Sequence, residues 1–377
     1  MNSSIRVGNL FGIPFFIHAS WFLVLGLVTW VYGSGLSQQF PQLVGAAPWI
    51  LGFATALTLF ASVLAHELGH SLVALQQGVN VRSITLFLFG GLASLERESD
   101  TPGEAFQIAI AGPAVSLLLF GLFSAITAFA PVSGPVAAVI SLLATINLIL
   151  ALFNLIPGLP LDGGNVLKSI VWKITGKPYK GVTLASRVGQ GIGWIAIASG
   201  LLPLFLEGSF GGVWNVLIGW FLLQNAGRSA QYGSVQEKLS DLTAEDAVSE
   251  DSPIVSANLS LREFANEFVI GKGKWRKFLV TDDDGQLSGT LLVDDLKLVA
   301  TSDWPQTSVK ELTKPVEETT TVKSNRPLME VVTLLEEKKI SELPVIGENG
   351  MLVGILEKSS IVRLLQGDGE KTQINPA

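Results

Sequence analysis

The chain has 377 residues, 48% of them hydrophobic and 15% charged, with a net charge of −7 and no cysteine; its mean hydropathy is +0.47. This balance excludes an ordinary soluble domain. The absence of thiols excludes disulfides and leaves His and carboxylate as zinc ligands. Charge is unevenly placed: 17 of the 25 Lys and Arg, and 25 of the 32 Asp and Glu, lie after residue 226. A membrane domain is therefore expected over 1–226, followed by an acidic, water-soluble tail with no bulk attraction for nucleic acid or anionic lipid.

The first apolar run is preceded only by Arg6 and interrupted by His18 and Trp21, which predicts a retained helix rather than a cleaved signal peptide. A helix needs about 20 apolar residues to cross the hydrocarbon core. The predicted spans are Phe11 to Tyr32, Trp49 to Gln76, Phe106 to Ala130, Val136 to Ile156, Val188 to Leu206 and a short sixth, Gly212 to Gln224. Lys168, Lys173, Lys177 and Lys180 fall in the loop after the fourth span, Arg6 and Arg228 flank the domain, and the segment from Gly33 to Ala47 is uncharged. That pattern predicts six spans with both termini in the cytosol.

The second span contains His66-Glu67-Leu68-Gly69-His70. Ionisable groups inside lipid are costly and need a partner or a function. On a helix this spacing puts two imidazoles one turn apart on one face, with a carboxylate beside them as a candidate base. His66 lies ten residues before Gln76, roughly 15 Å below the cytosolic surface at 1.5 Å per residue. Water must then arrive from the cytosolic side and a substrate helix must enter laterally and unwind. His18 is either a partner near this site or an interfacial hydrogen-bonding residue.

Between the second and third spans, Ile84 to Phe89 is rich in β-formers and precedes Gly90-Gly91, predicting a strand, a glycine turn and a return strand. The hairpin is either an ordinary cytosolic one or re-entrant; sheet edges cannot face lipid, so a re-entrant hairpin must be covered by protein or line a wet cavity. Its edge is suited to pairing with an extended peptide.

The fourth span ends in Asn154-Leu155-Ile156-Pro157-Gly158-Leu159-Pro160-Leu161-Asp162-Gly163-Gly164, which cannot continue a helix. Asp162 is the only carboxylate between Glu104 and Glu207 and is assigned as third metal ligand, since a catalytic zinc keeps three protein ligands and one open position. Glu67 then acts as general base on water and returns the proton to the leaving amine. Asn154 serves either to hydrogen-bond the substrate carbonyl or oxyanion or as a helix C-cap or interhelical hydrogen-bonding residue.

The tail repeats itself. A helix-like stretch (Leu261 to Val269; Leu328 to Lys338) is followed by a strand, a polar turn and another strand (Lys277 to Thr281 and Leu287 to Leu291; Leu343 to Gly347 and Met351 to Leu356). This predicts a paired α/β module.

With these residues in place, the chain resembles the site-2 protease family of intramembrane zinc metalloproteases, in the branch with a C-terminal pair of CBS domains. The resemblance rests on His66-Glu67-Leu68-Gly69-His70, on Asn154-x-x-Pro157-x-x-x-x-Asp162-Gly163, on Gly90-Gly91, on Ala111-Gly112-Pro113 and on Gly12-Ile13-Pro14 with His18. It implies one zinc ion per chain held by His66, His70 and Asp162, catalysis by Glu67, and cleavage of single-pass membrane proteins that releases a cytosolic signalling fragment. Ser116 stands where the family often has Asn, which weakens a role for that position. CBS pairs of this kind often associate as dimers and bind adenine nucleotides through an Asp that holds the ribose. Here the first copy offers Asp295 but has Leu292 at the hydroxyl position, and the second has Glu357 and Ser360.

The expected architecture is a polytopic α-helical membrane protein of about six transmembrane helices with a re-entrant β-hairpin, plus a cytosolic α/β CBS pair. The expected boundaries are 1–226 for the protease domain, 227–239 for a linker, 240–301 and 302–366 for the CBS repeats, and 367–377 for a disordered tail. The rival function is a CBS-gated ion transporter or channel that uses the same polar residues for permeation.

Overall fold

The structure is a computed structural model that describes residues 4–88, 90–271, 273, 275–315 and 321–367. The stretch 368–377, most of the expected disordered tail, lies outside the described residues. The chain forms two compact units, Met1–Ser234 and Val235–Ala377.

The first unit opens on a hairpin that the hydropathy pattern conceals. Strands β1 (Ser4–Leu10) and β2 (Ile13–His18) pair antiparallel across a two-residue turn, Phe11-Gly12, in which both residues have positive φ. That is the turn geometry whose twist suits a tight hairpin. The first expected span therefore starts too early: helix α1 runs Ala19–Gln39. His18 caps it, its Nδ1 accepting from the Ser20 amide at 3.2 Å.

Helix α2 (Ala47–Gln76) follows, then β3 (Val81–Phe87) and β4 (Gly90–Leu95). The predicted hairpin is thus present, within a four-stranded sheet of order β1-β2-β3-β4. The pairing of β2 with β3 is parallel, so α1 and α2 form the crossover between them. Ile13, Phe15, Ile84 and Leu86 pack from the sheet against Trp21, Phe60, Ala74 and Ile108 of the helices.

Helix α3 (Pro102–Phe129) begins with a capping box between Thr101 and Glu104 and contains Pro113. Helices α4 (Gly134–Asn154), α5 (Asp162–Thr175), α6 (Pro178–Glu207) and α7 (Val213–Leu239) complete the series. Among the described residues, α1, α2, α3, α4 and α6 are long and apolar enough to cross a membrane. The expected sixth span forms the first half of α7, whose second half is polar; the expected linker 227–239 is the end of that same helix.

The second unit bears out the internal repeat. Strands β5 (Ile254–Ser256), β6 (Lys277–Thr281) and β7 (Leu287–Leu292) form one sheet, with β5·β6 parallel and β6·β7 antiparallel. Strands β8 (Val322–Lys323), β9 (Glu342–Ile346) and β10 (Leu352–Glu357) repeat the same arrangement. Helix α8 (Leu261–Phe264) lies in the first repeat; α9 (Val309–Leu312), α10 (Leu328–Glu337) and α11 (Lys358–Gly367) complete the unit. The repeats share their cores. Leu239, Ala244 and Ala247 pack with Leu328, Leu343 and Leu356 of the second repeat, whereas Val309 packs with Phe264, Phe278 and Leu291 of the first.

Candidate metal centre

His66 and His70 lie on α2, and Asp162 is the first residue of α5, directly after the Pro/Gly break. The fold brings them together. His66 Nε2 is 3.0 Å from Asp162 Oδ2, His70 Nε2 is 3.3 Å from the same oxygen, and the two Nε2 atoms are 3.3 Å apart. Four-coordinate zinc with ligands at about 2.0–2.1 Å separates neighbouring ligand atoms by about 3.3 Å. Three donors of the right type thus form a triangle of the size such an ion requires.

The rings are aimed by their other nitrogens. His70 Nδ1–H donates to the Ile108 carbonyl at 2.6 Å, which leaves Nε2 as the lone-pair nitrogen. His66 Nδ1 is 2.9 Å from Ser116 Oγ. Ser116, the departure from the family pattern, is fully buried and is a natural acceptor for Nδ1–H. The weakened role expected of this position is not what the geometry shows: Ser116 partners His66 across 50 residues of sequence, and its one local signal is a hydroxyl one turn after Gly112-Pro113.

Glycines allow the necessary approaches. A Cβ on Gly112 of α3 would lie 2.1 Å from His70 Nε2 and 2.6 Å from His66 Nε2. A Cβ on Gly69 would meet the Ala111 carbonyl at 2.9 Å, so the glycine inside the His-Glu-x-x-His run lets α2 and α3 touch. Gly91 of β4 approaches Glu67 so closely that a Cβ would lie 2.3 Å from its Cγ. The segment that delivers Asp162 is folded back on itself and on α6: a Cβ on Gly163 would strike the Leu155 carbonyl, and one on Gly189 would strike the Leu159 carbonyl.

A cavity of about 450 Å³ leads to the three donors, lined by Glu67 and His70 of α2, Gly91 to Ala93 of β4, Asn154, and Asp162 with Lys168 of α5. Asn154 is the last residue of α4 and Leu155 is the C-cap. The Asn154 amide donates to the Leu150 carbonyl at 3.1 Å while the residue faces the cavity. His18 is neither a cavity-lining residue nor a member of the donor cluster; its Nδ1 contacts Ser20 Oγ at 2.8 Å, and that oxygen accepts from the Leu88 amide at 3.1 Å.

These features agree with comparison to known proteins. The chain matches the profile of peptidase family M50 over residues 54–133 and 121–196 and that of the CBS domain over 309–367. It is 60% identical over 366 residues to a protein of Synechocystis sp. named as a zinc metalloprotease, covering 97% of this chain and 96% of that one. A zinc metalloprotease of Methanocaldococcus jannaschii is 28% identical over 367 residues, covering 97% of each chain. The solved site-2 protease of Methanocaldococcus jannaschii aligns with 60% of this chain and 95% of its own at 29% identity and a TM-score of 0.43. The chain belongs to peptidase family M50, the site-2 proteases: it is a membrane zinc metalloprotease with a C-terminal CBS module. That assignment sets aside the ion-transporter alternative.

Proposed function

We propose that His66, His70 and Asp162 hold one zinc ion per chain and that Glu67 is the acid–base catalyst for hydrolysis of peptide bonds within or near the transmembrane segments of single-pass membrane proteins. The observation that carries this reading is the triangle of donor atoms with sides of 3.0 and 3.3 Å at the end of a cavity. Zinc, when bound, supplies Lewis acidity that polarises a carbonyl and acidifies water. The residues of the chain do the rest. The Ile108 carbonyl and Ser116 keep both Nε2 lone pairs turned inward. Glu67, hemmed in by Gly91, takes the proton from the attacking water and returns it to the leaving amine. Asn154 swings its amide from the Leu150 carbonyl to the substrate carbonyl.

Strand β4 is at the edge of its sheet and lines the same cavity. An unwound substrate segment adds to that edge as a further strand, which supplies backbone hydrogen bonds without regard to sequence. Location of the hairpin at membrane depth is supported by its sharing a cavity with α2, a helix apolar enough to span. The run of lysines from Lys168 to Lys180 supports a cytosolic position for that side, for both termini and for the CBS pair, which acts as regulator and dimerisation module. Adenine nucleotide is a weak candidate ligand. Asp295 already accepts from Lys314 Nζ at 2.9 Å, and its other oxygen caps its own turn; a nucleotide must displace that lysine.

The test is cleavage of a membrane-anchored substrate by the purified full chain in detergent, paired with metal analysis. Glu67→Gln is expected to abolish cleavage with zinc retained, and Asp162→Ala to lower zinc occupancy. Full activity in Glu67→Gln overturns the mechanism.

A further inference from the structure

Asp162, Asn165, Lys168, Ser169 and Trp172 recur at helical spacing on α5, and all line the cavity. Among the described residues lining the cavity, Lys168 is the only Lys or Arg, and Glu67, Glu98 and Asp162 are the carboxylates. Its side chain is 16% exposed, and Nζ donates to Glu98 Oε2 at 2.9 Å. Glu98 is of another kind: it sits in the loop between β4 and α3 and its side chain is 55% exposed. One partner is fixed in the cavity wall and the other reaches in from a loop.

From this asymmetry we infer that Lys168 is the base of a carboxylate-binding subsite that takes an acidic side chain of the substrate, and that Glu98 is its displaceable stand-in. The inference rests on the peptidase reading above and specifies its substrates. A lysine walled into a cavity of a membrane unit is stabilised by a facing anion. A half-exposed pair is weak and exchanges readily, so an incoming carboxylate replaces Glu98 at little net cost. The ammonium, a point charge with three donors on a flexible stem, suits a side chain that arrives at a variable angle. Lys168 is six residues beyond Asp162, about 9 Å along the helix at 1.5 Å per residue. An extended peptide covers that distance in about three residues. The subsite therefore reads a position about three residues from the cut, on the flank that runs past the end of β4 toward Glu98.

The experiment uses the full chain in detergent and a peptide series carrying Glu, Gln or Lys at each of the positions two to five residues to either side of the cut. At one position about three residues away, kcat/KM is expected to follow Glu > Gln > Lys, with about a ten-fold gain for Glu over Gln, as for a charge-assisted hydrogen bond. Lys168→Glu is expected to invert that order at that position alone, and Lys168→Gln to flatten it. Glu98→Gln is expected to keep the order and lower KM for the Glu peptide. A flat scan overturns the inference, as does an equal loss for all three peptides in the Lys168 variants. The same peptides titrated against the Glu67→Gln protein by fluorescence anisotropy read the preference in binding alone. Preference in binding with no cleavage by the unmodified protein overturns the peptidase reading and keeps the subsite. Zinc-dependent cleavage with no preference does the reverse.

Discussion

The two units of this chain are built inside out relative to each other. Among the described residues, the largest fully buried side chains are Phe264, Phe278 and a set of leucines that lie almost entirely in the C-terminal unit; Ile84 and Leu222 alone belong to the first. Buried polar residues divide the other way. Thr55, Ser62, His66, Ser71, Ser116, Asn147, Ser169 and Ser186 lie in the first unit, and only Ser324 and Ser360 in the second. Away from the apolar cluster under its sheet, the first unit turns many large apolar groups outward, with Leu118 at 73% and Phe129 at 89% exposure, and buries alanine and hydroxyls between its helices. Lipid is as apolar as leucine, so burying leucine among these helices gains little; close backbone approach and hydrogen bonds hold them. Gly200 and Gly212 of α6 and the turn before α7 are in backbone contact, as are Gly193 and Gly219. The second unit gains stability from its apolar core. The same amino acids carry opposite structural meaning on either side of residue 234.

This contrast can be broken by substitutions chosen for each unit. Gly112→Ala is expected to have the largest effect, because one methyl would occupy the space of two imidazole nitrogens. Zinc content and proteolysis should both be lost while the C-terminal unit stays folded, as read by metal analysis and circular dichroism. Phe264→Ala should cost the C-terminal unit about 3–5 kcal/mol, seen as a lowered thermal transition, with zinc content unchanged. Ser116→Ala should weaken zinc binding by about 10–100-fold through loss of the His66 partner, measured by competition with a chelator. Leu118→Ala, on the outer face of α3, should change the melting temperature in detergent hardly at all; a cost as large as that of Phe264→Ala would mean that the outer face of α3 packs against something other than lipid.

The centre was legible because carboxylates are scarce. With a single Asp between residues 104 and 207, a candidate third donor could be named before any distance was known, the α2 spacing offered two candidate imidazoles, and the fold places the three close enough to hold an ion. The β3–β4 hairpin and the tail repeat were equally plain, through β-branched runs and glycine turns. The N-terminal hairpin was not, because Ile13 to Ile17 is apolar and runs straight into the apolar α1; a short apolar run does not distinguish strand from helix. Its turn carries Phe11 in the left-handed region, with none of the Asn or Asp that usually marks such turns. Ser116 and the approach of Gly112 to the imidazoles depend on how α3 crosses α2, which no local pattern encodes.

The parallel pairing of β2 with β3 has a mechanical corollary. Both strands adjoin the α1–α2 crossover: α1 starts at the residue after His18, and only four residues separate α2 from β3. The Ser20 bridge to Leu88 ties the foot of α1 to the hairpin tip. A lone membrane helix answers a change in bilayer thickness by tilting; these two must tilt as one rigid staple with the strands at its base. The imidazoles on α2 are then registered against the sheet rather than against the lipid. Reconstitution in thinner or thicker bilayers should alter the turnover rate and leave the scissile bond where it was, since the yardstick for the cut is part of the enzyme.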